Sequence, residues 1–275
     1  MQQTEQVFNG TELLPIWDAL EQWEATMEEA DRWYATSVDL TDRRFDSASR
    51  AGQRLYITAS ALIHVAGEHQ YVLAKTMTGP DALGVYPHAT PNLIRPAFEA
   101  ALTAFWLLDG KDSQTRVLRG LRQSWEDHRQ SDAWADDLLH SPLATKEERE
   151  EVMGKKAKIA KRYHEDADDL GVKWEKVRQK VNLWDEVKNL STVQGDPLLR
   201  QAIRATWRQL SGVQHGLQYA SLRSGQRIGE VPIPGGAQAM MVTDDDWLMT
   251  ACRASAAVQS WAMSSYIKRT RGLTR

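Results

Sequence analysis

The sequence predicts an all-α protein, a multi-helix bundle of about seven to nine helices that forms one domain over residues 1–275. Three observations support this fold class. Apolar residues recur at helical spacing in most of the long segments. Glycine and proline, which interrupt helices, concentrate in a loop at 79–91 and in an irregular loop near 225–243. No part of the chain alternates strands with helices, as α/β proteins do.

Periodicity and helix-breaking residues place the elements in order. Thr11 can cap the first helix, Pro91 suits the first turn of the third, and Pro96 predicts a kink or a later start in that helix. Residues 145–190 are highly charged and predict an exposed helical excursion from the bundle. The loop at 225–243 is the one place where a short hairpin is expected. The predicted long helices span 11–37, 47–76, 91–109, 112–139, 145–169, 197–224 and 245–270, and one or two short helices are expected within 174–190. Helices 47–76, 91–109 and 197–224 are expected at the centre.

Composition restricts the class of protein. A net charge of −3 and a pI of about 6.2 argue against nucleic-acid binding through overall charge, and the sequence carries no DNA-binding signal. The single cysteine, Cys252, excludes an intrachain disulfide and zinc sites built from several thiolates. The N-terminal residues lack a signal-peptide pattern, and the longest apolar stretch, around 97–108, is too short to span a bilayer. These features predict a cytoplasmic protein without membrane contact.

The stretch 204–216 carries the candidate site. Arg204, Arg208, Ser211 and His215 are spaced so that they fall within roughly 60° of one another on a helix. An arginine and a histidine on one stripe suit a phosphate clamp and an acid/base, although a solvated helix face would look the same. Two glycines one turn apart, at 212 and 216, predict close approach by another helix, either of the same chain or of a second copy. Self-association as a homodimer is therefore expected.

A second group of polar residues interrupts the most apolar helix. Arg95 and Glu99 are four positions apart and are expected to form an ion pair within that helix. In the alternative interpretation, Glu99 orients His215 or His69 from across the bundle. The segment 64–69 contains two histidines and a glutamate, but its spacing fits no metal motif. No metal and no cofactor are expected.

The remaining aromatic residues and histidines receive a structural interpretation. Eleven tryptophans are spread along the chain and are expected to fill wide gaps between helices. His128 and His164 lie in charged helices and are expected at the surface. Interleaved aromatic and basic residues, which are typical of single-stranded nucleic-acid binding, are not apparent along the sequence.

The spacing of Arg208-Gln209 and His215 resembles the Arg-polar-x-His motif of the HEPN superfamily. The segments 93–100 and 207–216 also look like those of a group of uncharacterised bacterial all-helical proteins, a likeness that covers most of residues 60–220 and brings no known activity. The HEPN resemblance implies a helical bundle that dimerises and cleaves RNA without metal. Arg208 would then hold the scissile phosphate, and His215 would act as acid or base for attack by the 2′-hydroxyl.

Two functions from different classes follow. The first is a HEPN-like, metal-independent endoribonuclease of a toxin or defence system, with RNA as its partner and Arg208 and His215 as its active residues. The second is a non-catalytic binding protein, whose polar pocket holds a small anionic ligand or a partner helix. That pocket would be lined by Arg95, Glu99, Arg208 and His215. The exposure and pairing of these residues discriminate between the two.

Overall fold

A computed structural model describes residues 49–77, 86, 88–142 and 144–270. The predicted helix at 11–37 and most of the predicted loop at 79–91 lie outside these residues. The described part is an all-α bundle with one β-hairpin, and none of its helices has the length and apolar character needed to cross a membrane. Its helices are α1 (Arg50–Met77), α2 (Ala89–Leu108), α3 (Ser113–Leu139), α4 (Lys146–Asp169), α5 (Trp174–Val177), α6 (Leu183–Val187), α7 (Pro197–Gln214), α8 (Gln218–Ser224) and α9 (Asp245–Thr270).

Helix α2 is the centre of the bundle, as its composition predicts. It packs against α1 and α9 over long faces and against α7 over a shorter one. Phe98, Leu102 and Trp106 are fully buried, because apolar residues cover nearly the whole circumference of the helix. Pro96 lies inside a continuous helix, so the predicted later start at that position is wrong. The central position predicted for α1 is also confirmed.

Helices α1 and α3 approach each other closely at a glycine. A Cβ atom added to Gly120 would lie 2.6 Å from the Cβ atom and 2.7 Å from the Cα atom of Leu55. The absence of a side chain therefore permits this helix crossing. This crossing holds the N-terminal half of α3 on the bundle. The C-terminal half extends beyond the bundle, and Trp134 in that half is 65% exposed.

The charged region 145–190 is only partly an excursion. Helix α4 begins with a capping box, in which Thr145 Oγ1 accepts from the Glu148 N–H and the Glu148 carboxylate accepts from the Thr145 N–H. Its first half is exposed, as predicted. Its second half packs against α1, α3 and α5, where a small second core forms. The buried residues of this core are Leu121, Tyr163, Ala167 and Val177.

An ion-pair cluster joins the end of α4 to the bundle. The Asp166 carboxylate is 1% exposed and accepts hydrogen bonds from Arg50 Nε at 2.5 Å and Arg54 Nε at 2.8 Å, both on α1. The Arg54 guanidinium also lies 4.3 Å from the ring centroid of Tyr163. A buried carboxylate requires such partners, so Asp166 fixes the position of α4 on α1.

The segment expected to be an irregular loop with a short hairpin forms an antiparallel hairpin over nearly its whole length. Strand β1 (Gly225–Ile233) pairs with β2 (Gly236–Thr243), and the register shifts between Ile228 and Val231. Pro234 and Gly235, whose φ is +85°, make the turn. Every β1 residue after Gly225 is exposed, so the hairpin extends away from the bundle.

Candidate functional site

Helix α7 ends ten residues earlier than predicted, at Gln214 rather than near 224. Gly216 adopts a φ of +65°, which L-residues with a side chain rarely adopt, and the chain leaves the helix there. The Leu217 N–H donates to the Gly212 carbonyl at 2.8 Å, which closes the helix end. Since the helix breaks, the prediction of one continuous helix over 197–224 is wrong. With only one face on the core, α7 is also peripheral rather than central.

The short helix α8 folds back along α7. A Cβ atom added to Gly212 would lie 2.5 Å from the Ala220 Cβ atom, and the Tyr219 hydroxyl donates to the Arg208 carbonyl at 3.3 Å. The close helix contact predicted at Gly212 is therefore confirmed, and its partner is a helix of the same chain. Gly216 has open space around it and serves the turn instead.

This folding back creates a cavity of about 680 Å³ between α7 and α8. Four arginines, here named the arginine cleft, line it: Arg200, Arg204 and Arg208 from α7 and Arg223 from α8. The three arginines of α7 are spaced by four residues, so they rise along one face in steps of about 6 Å. The other lining residues are Pro197, Gln201, Ala205, Gln209 and Tyr219.

The arginine cleft is a local concentration of positive charge on an acidic protein. All four arginines are exposed, and in the part of the chain that the structure describes none of their guanidinium groups has a hydrogen-bond or ion-pair partner. Residues 197–229 contain five arginines and neither aspartate nor glutamate. The fifth of these arginines, Arg227, pairs with Glu230 at 3.4 Å. The unpaired positive charge of this segment is therefore that of the four cleft arginines, although the chain as a whole has a net charge of −3.

The C-terminal end of α7 meets α2 in a second polar group, the α2–α7 cluster. Arg95 donates to Glu99 Oε1 from Nε and Nη2, both at 3.1 Å, and the Trp207 indole N–H donates to the same oxygen. Arg95 Nη1 also donates to the Gln214 side chain and lies 3.5 Å from His215 Nε2. The Arg95 guanidinium is 5.7 Å from the Trp207 ring centroid, within cation–π range.

The predictions for the α2–α7 cluster are confirmed in part. The ion pair between Arg95 and Glu99 forms within the helix, as expected. Glu99 is occupied by Arg95 and Trp207, so it reaches His215 only through Arg95, and the interpretation in which it orients that histidine directly is wrong. His69 is half-buried on α1, and among the described residues no hydrogen bond connects it to the cluster. Ser211 is half-buried, and its carbonyl accepts from the His215 N–H at 3.1 Å.

Arg208 and His215 are both exposed, but they belong to different parts of the site. Arg208 lines the arginine cleft, whereas His215 does not. Seven residues of helix separate their backbones by about 10 Å. The guanidinium beside the His215 imidazole is that of Arg95. Arg208 therefore lies with the other cleft arginines, whereas His215 lies beside Arg95.

The described residues also limit other chemistry. Among them, no group of three or more histidine, cysteine, aspartate or glutamate side chains is arranged to hold a metal ion. Cys252 is buried in the core, and burial raises the pKa of its thiol to about 12. A thiol with this pKa stays protonated at neutral pH and is a poor nucleophile.

Sequence reasoning missed two features of the site region. Arg200 continues the spacing of Arg204 and Arg208 and was visible as a third member of that series, whereas Arg223 joins them only because the helix breaks at Gly216. The second is the segment Lys173–Lys180, which reads Lys-Trp-Glu-Lys-Val-Arg-Gln-Lys and does interleave an aromatic residue with basic ones. The prediction that the chain lacks such interleaving is therefore wrong for this segment.

The resemblance to HEPN proteins depends on the spacing of Arg208 and His215 along one segment. In the structure that segment is a helix with an exposed arginine and an exposed histidine at its cap. This arrangement neither adds to nor removes from the likeness, which stays a prediction. No protein-family model, no curated protein and no solved structure matches this chain at a significant level.

Proposed function

We propose that this protein binds a phosphate-rich ligand, RNA in the first instance, in the arginine cleft. The observation that carries the proposal is the convergence of Arg200, Arg204, Arg208 and Arg223 on one cavity without an acidic residue in its lining. Side chains of like charge repel one another, and an anionic ligand removes that repulsion. Guanidinium groups suit phosphate because they donate two parallel hydrogen bonds to a pair of its oxygens.

The form of the cleft favours an extended ligand over a single small anion. Three of its arginines are arranged along a helix face at regular intervals, and the fourth faces them from α8. A nucleic-acid strand presents a phosphate at every nucleotide, so one strand can engage several arginines at once. Tyr219 adds an aromatic ring to the lining, where a base can stack. The overall acidity of the chain restricts such binding to this local surface.

The test is binding of a fluorescently labelled, single-stranded uridine oligomer, followed by fluorescence anisotropy. The double variant Arg204→Gln/Arg208→Gln removes two charges from the cleft and should weaken binding at least roughly tenfold, because each lost charge-assisted hydrogen bond contributes about 1 kcal/mol or more. The matched control is Lys188→Gln/Arg253→Gln, which removes two exposed positive charges outside the cleft. It therefore has the same net charge as the cleft variant. Equal weakening by both variants would contradict a specific cleft, as would the absence of binding to wild-type protein.

A second candidate function, metal-independent RNA cleavage, has a specific observation in its favour. His215 is exposed, and its Nε2 atom lies 3.5 Å from a guanidinium nitrogen of Arg95. Imidazole can exchange a proton with a 2′-hydroxyl near neutral pH, and guanidinium groups stabilise charge on a phosphate. We infer that Arg208 binds the RNA and that His215, with Arg95 beside it, is the candidate acid or base. The homodimer and the cytoplasmic location stay predictions that accompany this second proposal. The homodimer now rests on the HEPN resemblance, because the helix contact at Gly212 is made within one chain.

Cleavage is tested by incubating the labelled RNA with wild-type protein, His215→Ala and His140→Ala in the presence of a metal chelator. If His215 transfers a proton, its replacement should lower the cleavage rate by a factor on the order of 100 or more, whereas replacement of the exposed His140 should not. Equal rates in all three proteins, or no cleavage by any, would remove the catalytic candidate. Binding to the arginine cleft would be unaffected by that result.

A further inference from the structure

A second cavity, of about 540 Å³, lies between α3 and the segment that begins with α5. It shares no residue with the arginine cleft. Two tryptophans, three basic residues and one glutamate line it; we name it the tryptophan cavity: Trp125, Glu126, Arg129, Trp174, Arg178 and Lys180. Its volume is within the range of cavities that hold small-molecule ligands.

The two tryptophans form a fixed aromatic corner. Their ring centroids are 4.8 Å apart and their planes meet at 74°, so the edge of one ring faces the other. His164 supports Trp174 at 3.9 Å between centroids, and Tyr163 supports Trp125 at 5.2 Å. Both tryptophans remain half-buried, which leaves part of each indole accessible. The accessible part of the two indoles is a surface on which a flat ring can pack.

The charges of the cavity are positive in excess. Arg129 donates to both carboxylate oxygens of Glu126, at 3.1 and 2.7 Å, and this pairing lowers the pKa of Glu126. These two charges neutralise each other. Arg178 and Lys180 are exposed, and in the described residues their side chains have no ion-pair partner. The charge of Lys180 also acts on Glu126 and contributes to the lowering of its pKa. With three basic residues and one glutamate, the cavity has an excess of two positive charges beside two indole rings.

The cation-bearing segment is held on α3 by its backbone. The Arg122 guanidinium donates to the carbonyls of Gln179 and Lys180, both at 3.4 Å. Burial lowers the pKa of Arg122, as desolvation of a guanidinium does. These contacts position the backbone next to the aromatic corner while the side chains of Arg178 and Lys180 remain exposed.

We propose that the tryptophan cavity is a binding site for a nucleoside phosphate. The base stacks in the corner formed by Trp125 and Trp174, and the phosphate lies near Arg178 and Lys180. An aromatic ring and an anionic group on one small molecule match the two features that the cavity combines. Stacking on indole accepts any base, so no base preference is expected. The site is independent of RNA binding in the arginine cleft.

The test is isothermal titration calorimetry of the full chain with AMP, with adenosine and with inorganic phosphate. AMP should bind more tightly than either fragment, because only AMP engages both the rings and the cations. The double variant Arg178→Gln/Lys180→Gln should weaken AMP binding roughly tenfold, since two charged contacts are lost. Lys176→Gln/Arg253→Gln, which removes two exposed charges that do not line the cavity, should leave the affinity unchanged.

Participation of the rings is tested by NMR of the indole N–H groups. Trp125→Phe and Trp174→Phe keep an aromatic side chain and identify the two signals, and those signals should shift on addition of AMP. The signal of Trp134, which lies on the same helix as Trp125 but outside the cavity, should not shift. A Trp→Phe variant that failed to fold would leave the calorimetric comparison intact, because the charge variants alter only exposed side chains.

Three results would overturn the proposal. The first is the absence of AMP binding to wild-type protein. The second is equal affinity for AMP and inorganic phosphate, since the rings would then contribute nothing. The third is loss of AMP binding in Arg204→Gln/Arg208→Gln while Arg178→Gln/Lys180→Gln retains it, which would place the nucleotide in the arginine cleft. Failure of RNA to bind that cleft has no bearing on these three results.

Discussion

At the scale of single residues, Cys252 makes folding sensitive to alkaline pH. Burial raises the pKa of its thiol from an ordinary 9.0 to about 12. The folded chain therefore keeps this proton at a pH where the unfolded chain has lost it. The resulting stabilisation is complete below pH 9 and is lost as the pH rises from about 9 towards 12, at a slope of up to about 1.4 kcal/mol per pH unit.

We expect the free energy of unfolding, measured by urea titration, to fall more steeply with rising pH in wild-type protein than in Cys252→Ala. The variant is less stable near neutral pH, because a buried side chain is truncated. Its pH profile should nevertheless be flatter above pH 9, because the titrating group is gone. Burial also raises the pKa of Tyr163, so some alkaline loss should remain in both proteins. Parallel profiles would show that Cys252 does not contribute.

His128 shows how a residue type can mislead where periodicity does not. It was expected at the surface because its helix is charged, yet it is buried and stacks against Tyr163 at 5.5 Å between ring centroids. It lies three residues after Trp125 and seven after Leu121, on the stripe that faces the second core. Periodicity alone predicts burial. Its Nε2 atom lies 3.6 Å from the Asp132 carboxylate and, among the described residues, has no hydrogen-bond partner.

At the scale of helices, two glycines predict opposite responses to the same substitution. Gly120→Ala places a methyl group 2.6 Å from Leu55, so overpacking should lower the free energy of unfolding by about 1–3 kcal/mol. Gly154→Ala, in the exposed first half of α4, meets nothing within 4 Å and should raise the free energy of unfolding by up to about 1 kcal/mol, because alanine favours helix. Chemical denaturation of both variants checks this. Stabilisation by both would show that α1 and α3 can separate without loss.

The attachment of α4 to α1 depends on Asp166. Asp166→Asn keeps the volume but removes the charge that Arg50 and Arg54 share, and should lower the free energy of unfolding by about 2 kcal/mol. The neighbouring exposed pair provides the control, because Glu165→Gln should change stability by less than about 0.5 kcal/mol. Hydrogen exchange should show faster exchange in α4 of the Asp166 variant. Equal stability of the two variants would contradict this role.

The early end of α7 at Gln214 could not be predicted from local sequence patterns. Every residue from 197 to 224 is compatible with a helix, and Gly216 alone does not require a helix end. The break is stabilised by packing of Ala220 and Tyr219 on Gly212, a contact between residues whose positions depend on the break itself. The same break brings Arg223 to the other three arginines, so the full site was not predictable from spacing alone.

At the scale of the whole molecule, the fold class, most helix boundaries and the central position of α2 were predictable from the sequence. These features depend on hydrophobic periodicity and on helix start and stop signals, and both are determined by residues close together along the chain. The two cavities were not predictable from the sequence, because each combines elements that are distant along the chain. Arg223 meets Arg200 only through the fold, and Trp174 meets Trp125 across 49 positions.

Net charge also misleads at this scale. A net charge of −3 argues against nucleic-acid binding. That value is the sum of segment 197–229, which contains five arginines and no aspartate or glutamate, and the rest of the chain, which is acidic. Binding at short range depends on the local potential, since charges beyond about 10 Å are largely screened at moderate salt. We propose above all that the four cleft arginines, which lie in this segment, contact the phosphates of a bound RNA strand.

The salt dependence of RNA binding tests that claim most directly. The affinity of wild-type protein and of Arg204→Gln/Arg208→Gln for the uridine oligomer is measured over a series of salt concentrations. With four phosphate contacts, the slope of log K against log salt should be about −3, and removal of two should reduce it to about −1.4, at roughly −0.7 per contact. An identical slope in the two proteins would contradict contact between these arginines and the phosphates.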